Sequence, residues 1–325
     1  PMVFTDLGDL CDGLAFAEDH GQYGYVNARG QMVISPMYDA ATNFHRDLAV
    51  VTADGLSGVI DRSGQVVVPL EYEWVEGFQQ GVSRVRRNGR MGLIGLQGTV
   101  LLEPRYDHVG ELRDGLALVV EGARCGYADS TGRLVIPLEY EAAQDVAAWG
   151  DLAHGHAEVQ LNGKRGIINT RNERIVPIQY SDVGGTRGPV FAVKKKNKWG
   201  FVDVRGASLV EPRYDKVWDF VDGVARVENA GLFGAVDSTG REVIPLTNAD
   251  LSDARHGHLV GGKERYGVYD LRGRLVIPEE HDEIVLINGE IAKVVNGELS
   301  AYRRTSDGGY IWKEAGFSTE ERSAE

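Results

Sequence analysis

One glycine and one proline recur along this chain at a nearly constant interval, and that interval limits the fold more than any other feature. The glycines are Gly24, Gly58, Gly92, Gly126, Gly166, Gly200, Gly234 and Gly267, spaced 34, 34, 34, 40, 34, 34 and 33 residues apart. The prolines are Pro36, Pro69, Pro104, Pro137, Pro177, Pro212, Pro245 and Pro278, spaced 33, 35, 33, 40, 35, 33 and 33. Both series stretch at the same place, so six extra residues lie between them, within "DVAAWGDLAHGH" at 145–156. Self-similarity at a fixed period of this length is the mark of a repeat architecture, in which one small supersecondary unit is stacked many times.

Each period resolves into four short strand signals. In the copy that starts at Pro104, "YDHVGEL" is the weakest strand, and "RDG" turns the chain at Gly115. "LALVV" is a second strand, "EGAR" a hairpin turn, "CGYAD" a third strand, "STG" another turn, and "RLVIP" a β-branched fourth. The turn Asp-x-x-Gly recurs at Asp61/Gly64, Asp129/Gly132, Asp203/Gly206, Asp237/Gly240 and Asp270/Gly273. Asp bonds its own downstream backbone and Gly accepts positive φ, so each pair reads as a tight connection. Small residues at Ala15, Ser83, Ala117, Ala157 and Ala225 share a strand face with Val85, Val119, Val159 and Val227, since side chains alternate with period two. An aromatic follows the proline by two at Tyr38, Tyr72, Tyr106, Tyr140, Tyr180 and Tyr214; Asn248 and His281 replace it in the last copies. Proline cannot continue a ladder in mid-sheet, so Pro-x-Tyr reads as the joint where the chain leaves one sheet for the next.

Counting from proline to proline gives nine units in one repeat domain, 1–317. They are 1–35, 36–68, 69–103, 104–136, 137–176, 177–211, 212–244, 245–277 and a degraded 278–313, with a polar tail at 318–325. The expected fold is all-β: a tandem array of about nine short four-stranded antiparallel meanders, β-propeller-like, as a closed ring or an open superhelical arc. Gly and β-branched residues are too dense for a helix longer than a turn or two. The 42 glycines among 325 residues exceed the roughly 23 of average usage and fit a chain full of tight turns.

The phrase "NKWGFVD" at 197–203, followed by Gly, β-branched residues and "P-x-Y-D", resembles the bacterial WG (KWG) repeat. "QYGYVNARGQMVISPMYD", "LFGAVDSTGREVIP" and "RYGVYDLRGRLVIP" match the same pattern. The tryptophan itself stands only at Trp199; Tyr23, Ser57, Met91, Cys125, Arg165, Phe233 and Tyr266 take its place elsewhere. The resemblance spans nearly the whole chain. It implies a repetitive β structure, and modules that serve interaction with varied partners.

The net charge of −13 argues against nucleic acid as the main partner. Two cysteines, Cys11 and Cys125, make no disulfide framework and read as reduced thiols of a cytoplasmic protein. No run of 18 apolar residues suggests a membrane span, and the opening residues lack the pattern of a signal peptide. Nucleophile-elbow, phosphate-loop and zinc-protease motifs are absent, so the chain is read as non-catalytic, without metal or cofactor. Two His-Gly-His triplets, 154–156 and 256–258, place histidines two apart, but they stand where other copies carry turn residues.

Basic residues gather at the hairpin between the second and third strands. Acidic ones gather near the proline joint, so a basic rim opposite an acidic rim is expected. The candidate binding residues are Arg86, Arg87, Arg90, Lys194, Lys195, Lys196 and Lys198, together with Trp149 in the insertion. The expected partner is another protein. The alternatives are a carbohydrate- or small-ligand-binding propeller, hydrolytic or not, and an anion or nucleic-acid binder working through the basic rim.

Overall fold

In a computed structural model, residues 4–143, 152–184 and 190–319 are described. Nine antiparallel sheets follow one another in chain order, and no helix occurs among the described residues. They span 14–38, 40–72, 74–106, 108–141, 156–180, 182–214, 216–248, 250–281 and 283–313. Seven have four strands in strict sequence order; the first and fifth have three. Alongside the first sheet, the Leu7–Ala17 bridge brings the preceding segment against its edge. Contacts divide the chain into two compact halves, residues 1–162 with 168–173, and residues 163–167 with 174–325. The first half holds the first four sheets; the last four lie in the second.

The third sheet shows the plan of a unit. Trp74–Val75 is a short first strand, Val82–Arg87 and Arg90–Gly95 form the central hairpin, and Val100–Tyr106 is the long fourth strand. The alternation read from sequence holds: Ser83, Ala117, Ala157, Ala225, Val85, Val119, Val159 and Val227 are all buried. The Asp-x-x-Gly turns close as Asx turns. Asp129 Oδ1 accepts from the backbone N–H of Thr131 (2.9 Å) and Arg133 (3.1 Å). Asp61, Asp203, Asp237 and Asp270 repeat that arrangement. Hydrogen bonds to the charged form hold the Asp129 carboxyl below the usual carboxylate range, the Thr131 hydroxyl contributing most.

The prolines do a different job from the one their chemistry suggests. Pro104 lies inside its strand, and the sheet ends two residues later at Tyr106. Opposite it the register slips: Met91 faces Tyr106, while Leu93 faces Leu102. The strand therefore bulges around Pro104, which has no N–H to lose from the ladder. A Cβ on Gly92 would meet the Leu102 carbonyl oxygen and lie 2.8 Å from the Pro104 nitrogen. The recurrent glycine and the recurrent proline are thus two sides of one contact, a bulge folded against a residue without a side chain.

The core lies between successive sheets. One cluster joins Leu93, Leu102 and Tyr106 of the third sheet to Val109, Ala117, Val119 and Ala128 of the fourth. Another joins Phe201, Val210 and Tyr214 of the sixth to Ala225, Val227 and Val236 of the seventh. The Pro-x-Tyr rings Tyr106 and Tyr214 therefore pack at the seam with the next sheet, so these units do not bury their apolar faces alone.

Candidate functional site

Each meander sends its second strand up to the hairpin and its third strand down. The fourth strand then climbs back to the joint. Hairpin and joint therefore share one end of the sheet, and the expected separation of a basic from an acidic rim does not occur. Instead the two charges meet. Arg90 pairs with Asp107, Lys198 with Asp215 at 2.7 Å, and Arg265 with Asp282 at 3.0 Å, each pair 17 residues apart. The other oxygen of each aspartate accepts from the next hairpin: Gly122 N–H to Asp107 (2.6 Å), Ala230 N–H to Asp215 (2.8 Å), Gly297 N–H to Asp282 (2.7 Å). These bonds hold the Asp215 and Asp282 carboxyls below the usual range, the backbone N–H being the largest cause in both.

At the opposite end a second stitch recurs. Asp12, Asp114 and Asp222 accept from the backbone N–H of Asp47, Gly155 and Gly257 in the following unit. The His-Gly-His triplets belong to these turns: His154 and His256 both take φ of 53°. No group of three metal-ligating side chains is assembled among the described residues.

Most of the basic candidates are engaged within the structure. Arg86 lies 3.4 Å from Glu73, Arg87 lies 3.1 Å from Glu71, and Lys198 also donates to Asn229 (2.9 Å). Lys194 stands over the Trp199 ring at 5.3 Å. Lys195 and Lys196 are exposed at the hairpin tip, where Lys196 and Asn197 both take positive φ. Lys194, Lys195 and Lys196 make no ion pair among the described residues, which leaves three cations together on one turn. Trp149 and most of the insertion lie outside the described residues.

Where Tyr is replaced at the last joint, a polar cluster takes over. His281 is fully buried, with Nε2 2.9 Å from Arg303 Nη1 and Nδ1 3.3 Å from Asn296 Oδ1. Arg303 also reaches Glu280 (2.7 Å) and covers the Tyr310 ring at 4.5 Å. Burial first, and the Arg303 charge second, push the His281 pKa down, so Nε2 accepts from the guanidinium and Nδ1 carries the proton. A folded pKa below the unfolded value of 6.5 gives stability that is complete above 6.5 and lost as pH falls below it. As pH falls through 6.5 the thermal midpoint falls, by about 1.4 kcal/mol of stability for each pH unit below 6.5 until the depressed folded pKa is reached. His281→Asn, the residue type at the equivalent Asn248, flattens that window; an equal slope in wild type and variant excludes the histidine.

The fold and these stitches define a class first: a tandem-repeat protein of blade-like four-stranded meanders, tied unit to unit by aspartates. The WG containing repeat matches six successive segments, 23–56, 58–90, 91–125, 126–164, 166–199 and 199–232, more than half of the chain. The chain belongs to the WG-repeat family. No curated protein matches its sequence. Among solved structures it is similar to a eukaryotic initiation factor at 10% identity and a TM-score of 0.35, over 92% of this chain and 94% of that one. It is also similar to BamB from Moraxella catarrhalis at 12% identity and a TM-score of 0.31, over 79% and 93%. Likenesses this slight carry no argument about function. No helix among the described residues is long and apolar enough to cross a membrane.

Proposed function

We propose that the chain is a non-catalytic cytoplasmic scaffold that binds another protein, with the hairpin 194–197 as one contact. The observation that carries this reading is how the charges are used. Recurrent charges are tied into stitches between units, whereas Lys194, Lys195 and Lys196 form a unit-specific basic turn without an ion pair among the described residues, on a rigid hairpin. Three ammonium groups held this close suit an acidic surface on a partner. Cys11 and Cys125 are unbridged, and burial raises the Cys125 thiol to about 11, which keeps it protonated and unreactive.

The test is charge reversal at this turn. Lys194→Glu, Lys195→Glu and Lys196→Glu together should leave the thermal midpoint unchanged. The affinity of a partner captured from the native cell, then purified and titrated, should fall about tenfold or more. A partner bound equally by wild type and variant removes this turn from the reading.

A further inference from the structure

The centre of the second strand is occupied differently from unit to unit, and at one junction the occupant is missing. In the third sheet this position is Arg84, which faces Leu93 across the hairpin; in the seventh it is Arg226, facing Ala235. Both arginines cross the junction to the next unit. Arg84 donates to the Val109 carbonyl (3.4 Å) and pairs with Glu76 at 2.5 Å, its guanidinium 5.8 Å from the Trp74 ring. Arg226 donates to the Leu251 carbonyl (2.7 Å), lies 3.1 Å from Asp253, and stacks on Trp218 at 3.9 Å with Phe233 at 5.8 Å. Each junction of this kind therefore holds a guanidinium between an aromatic ring, a carboxylate and a main-chain carbonyl.

In the eighth sheet the same position is Val260, facing Val268. A valine leaves the arginine's place open, and a cleft of about 460 Å³ lies there, lined by Asp250, Ser252, Val260, Tyr266, Glu283 and Ile284. Valine alone does not open a junction. Val50 stands at the same position in the second sheet, yet only about 50 Å³ remains beside it, because Phe78 of the following loop fills the space. The residue corresponding to Phe78 after the ninth sheet's first strand is Ile287, which is half exposed. The junction thus lacks both of the fillers that close its counterparts.

Part of what lines the cleft matches what surrounds Arg226, while Ser252 stands at the place of Trp218 and Leu286 at the place of Asp253. Tyr266 immediately precedes Gly267, as Phe233 precedes Gly234, and Ile284 corresponds to Leu251 in the next unit's first strand. The walls carry Asp250, Asp253 and Glu283 against one cation, Arg255. Asp253 is engaged by Arg226 from the far side of the wall. Asp250 and Glu283 make no ion pair among the described residues.

We propose that this cleft receives an arginine side chain presented by a second protein, in the place that Arg84 and Arg226 fill at their own junctions. The proposal rests on the reading of the chain as a protein-binding scaffold and names a chemistry for one contact. The guanidinium lies along Tyr266, with Asp250 and Glu283 as its anions, a planar cation between a ring and carboxylates. A shorter or neutral side chain leaves the two carboxylates without a counter-charge.

The experiment titrates the full chain, labelled at Val, Leu and Ile methyls, with the peptide acetyl-Gly-Arg-Gly-amide and with its citrulline counterpart, which keeps the shape and removes the charge. The arginine peptide should shift the Val260, Ile284 and Leu286 methyl signals saturably, and the citrulline peptide should bind about tenfold more weakly or worse. Val260→Arg, which restores the residue found at 84 and 226, should fold and abolish the shifts. Asp250→Asn with Glu283→Gln, two exposed changes, should weaken them about tenfold without relying on the buried substitution. Equal affinity for both peptides, cleft methyls that do not respond, or binding that survives the Asp250/Glu283 double change overturns the proposal. A wild-type dimer in sedimentation that Val260→Arg dissolves would put a second copy of the chain in the cleft and overturn it too. None of these failures touches the lysine turn, whose own titration decides the scaffold reading separately.

Discussion

Gly132→Ala should destabilise the protein by about 3–4 kcal/mol, far more than an alanine at Gly115 in the same sheet. Both glycines have φ near +80°, 82° and 83°, where an L side chain costs about 1–2 kcal/mol. Their surroundings differ. Nothing lies within 4 Å of a Cβ at Gly115, whereas a Cβ at Gly132 would fall on the carbonyl group of Leu101 in the preceding sheet. The Asp129 turn therefore sits directly on its neighbour's fourth strand, and the methyl must push two sheets apart along a seam that buries Leu102, Tyr106 and Val119. Gly206, Gly240, Gly273 and Gly308 make the same approach to Ile175, Leu209, Val243 and Val276, so the contact belongs to the repeat. Urea unfolding of the two variants decides it. Equal midpoints for Gly132→Ala and Gly115→Ala would mean that the turn glycine serves only its own backbone.

The fifth unit shows how this contact tolerates an exception. Asn172 replaces the glycine, keeps φ at 62°, and turns its amide to bond Glu139 at 2.8 Å and the Tyr140 hydroxyl at 2.6 Å. Asn enters the left-handed region more readily than other side chains, and here its polar end takes up partners on the neighbouring strand.

The period, the four strands and the buried face were legible because each rests on local chemistry: turn residues, β-branching and alternation. Proline misled for a local reason. Its missing N–H reads as a strand end, but a bulge accepts it equally well, and only the pairing of Met91 with Tyr106 reveals the bulge. The charge pattern was legible and misjudged. Two strands separate the hairpin from the joint, and two antiparallel strands return the chain to the end it left. Arg90 and Asp107 therefore had to meet, and their recurring separation of 17 residues, shared by Lys198 with Asp215 and Arg265 with Asp282, was the available signal. The open junction was a harder case. Val260 is an ordinary strand residue, and its meaning comes only from comparison with Arg84, Arg226 and the Phe78 loop in three dimensions.

That comparison gives Arg226 a large structural role that can be measured. Arg226→Ala should cost about 2–4 kcal/mol, because it removes the charged hydrogen bond to the Leu251 carbonyl and the stack on Trp218 together. The side chain is only 17% exposed, so water does not readily replace either partner. Asp253 contributes less. Its side chain is 49% exposed, and Nε, at 3.1 Å from Oδ1, is not aligned as a hydrogen-bond donor. A double-mutant cycle with Asp253→Asn should therefore return a coupling of only about 0.5–1 kcal/mol. Arg226→Lys keeps the charge but loses the planar fork and the stack, and should recover no more than about half of the loss. Trp218 reports on the event directly, since its ring is the surface uncovered. An Arg226→Ala protein as stable as wild type would mean that the guanidinium merely rests at the junction. The equivalence drawn between Arg226 and the open place beside Val260 would then lose its energetic basis.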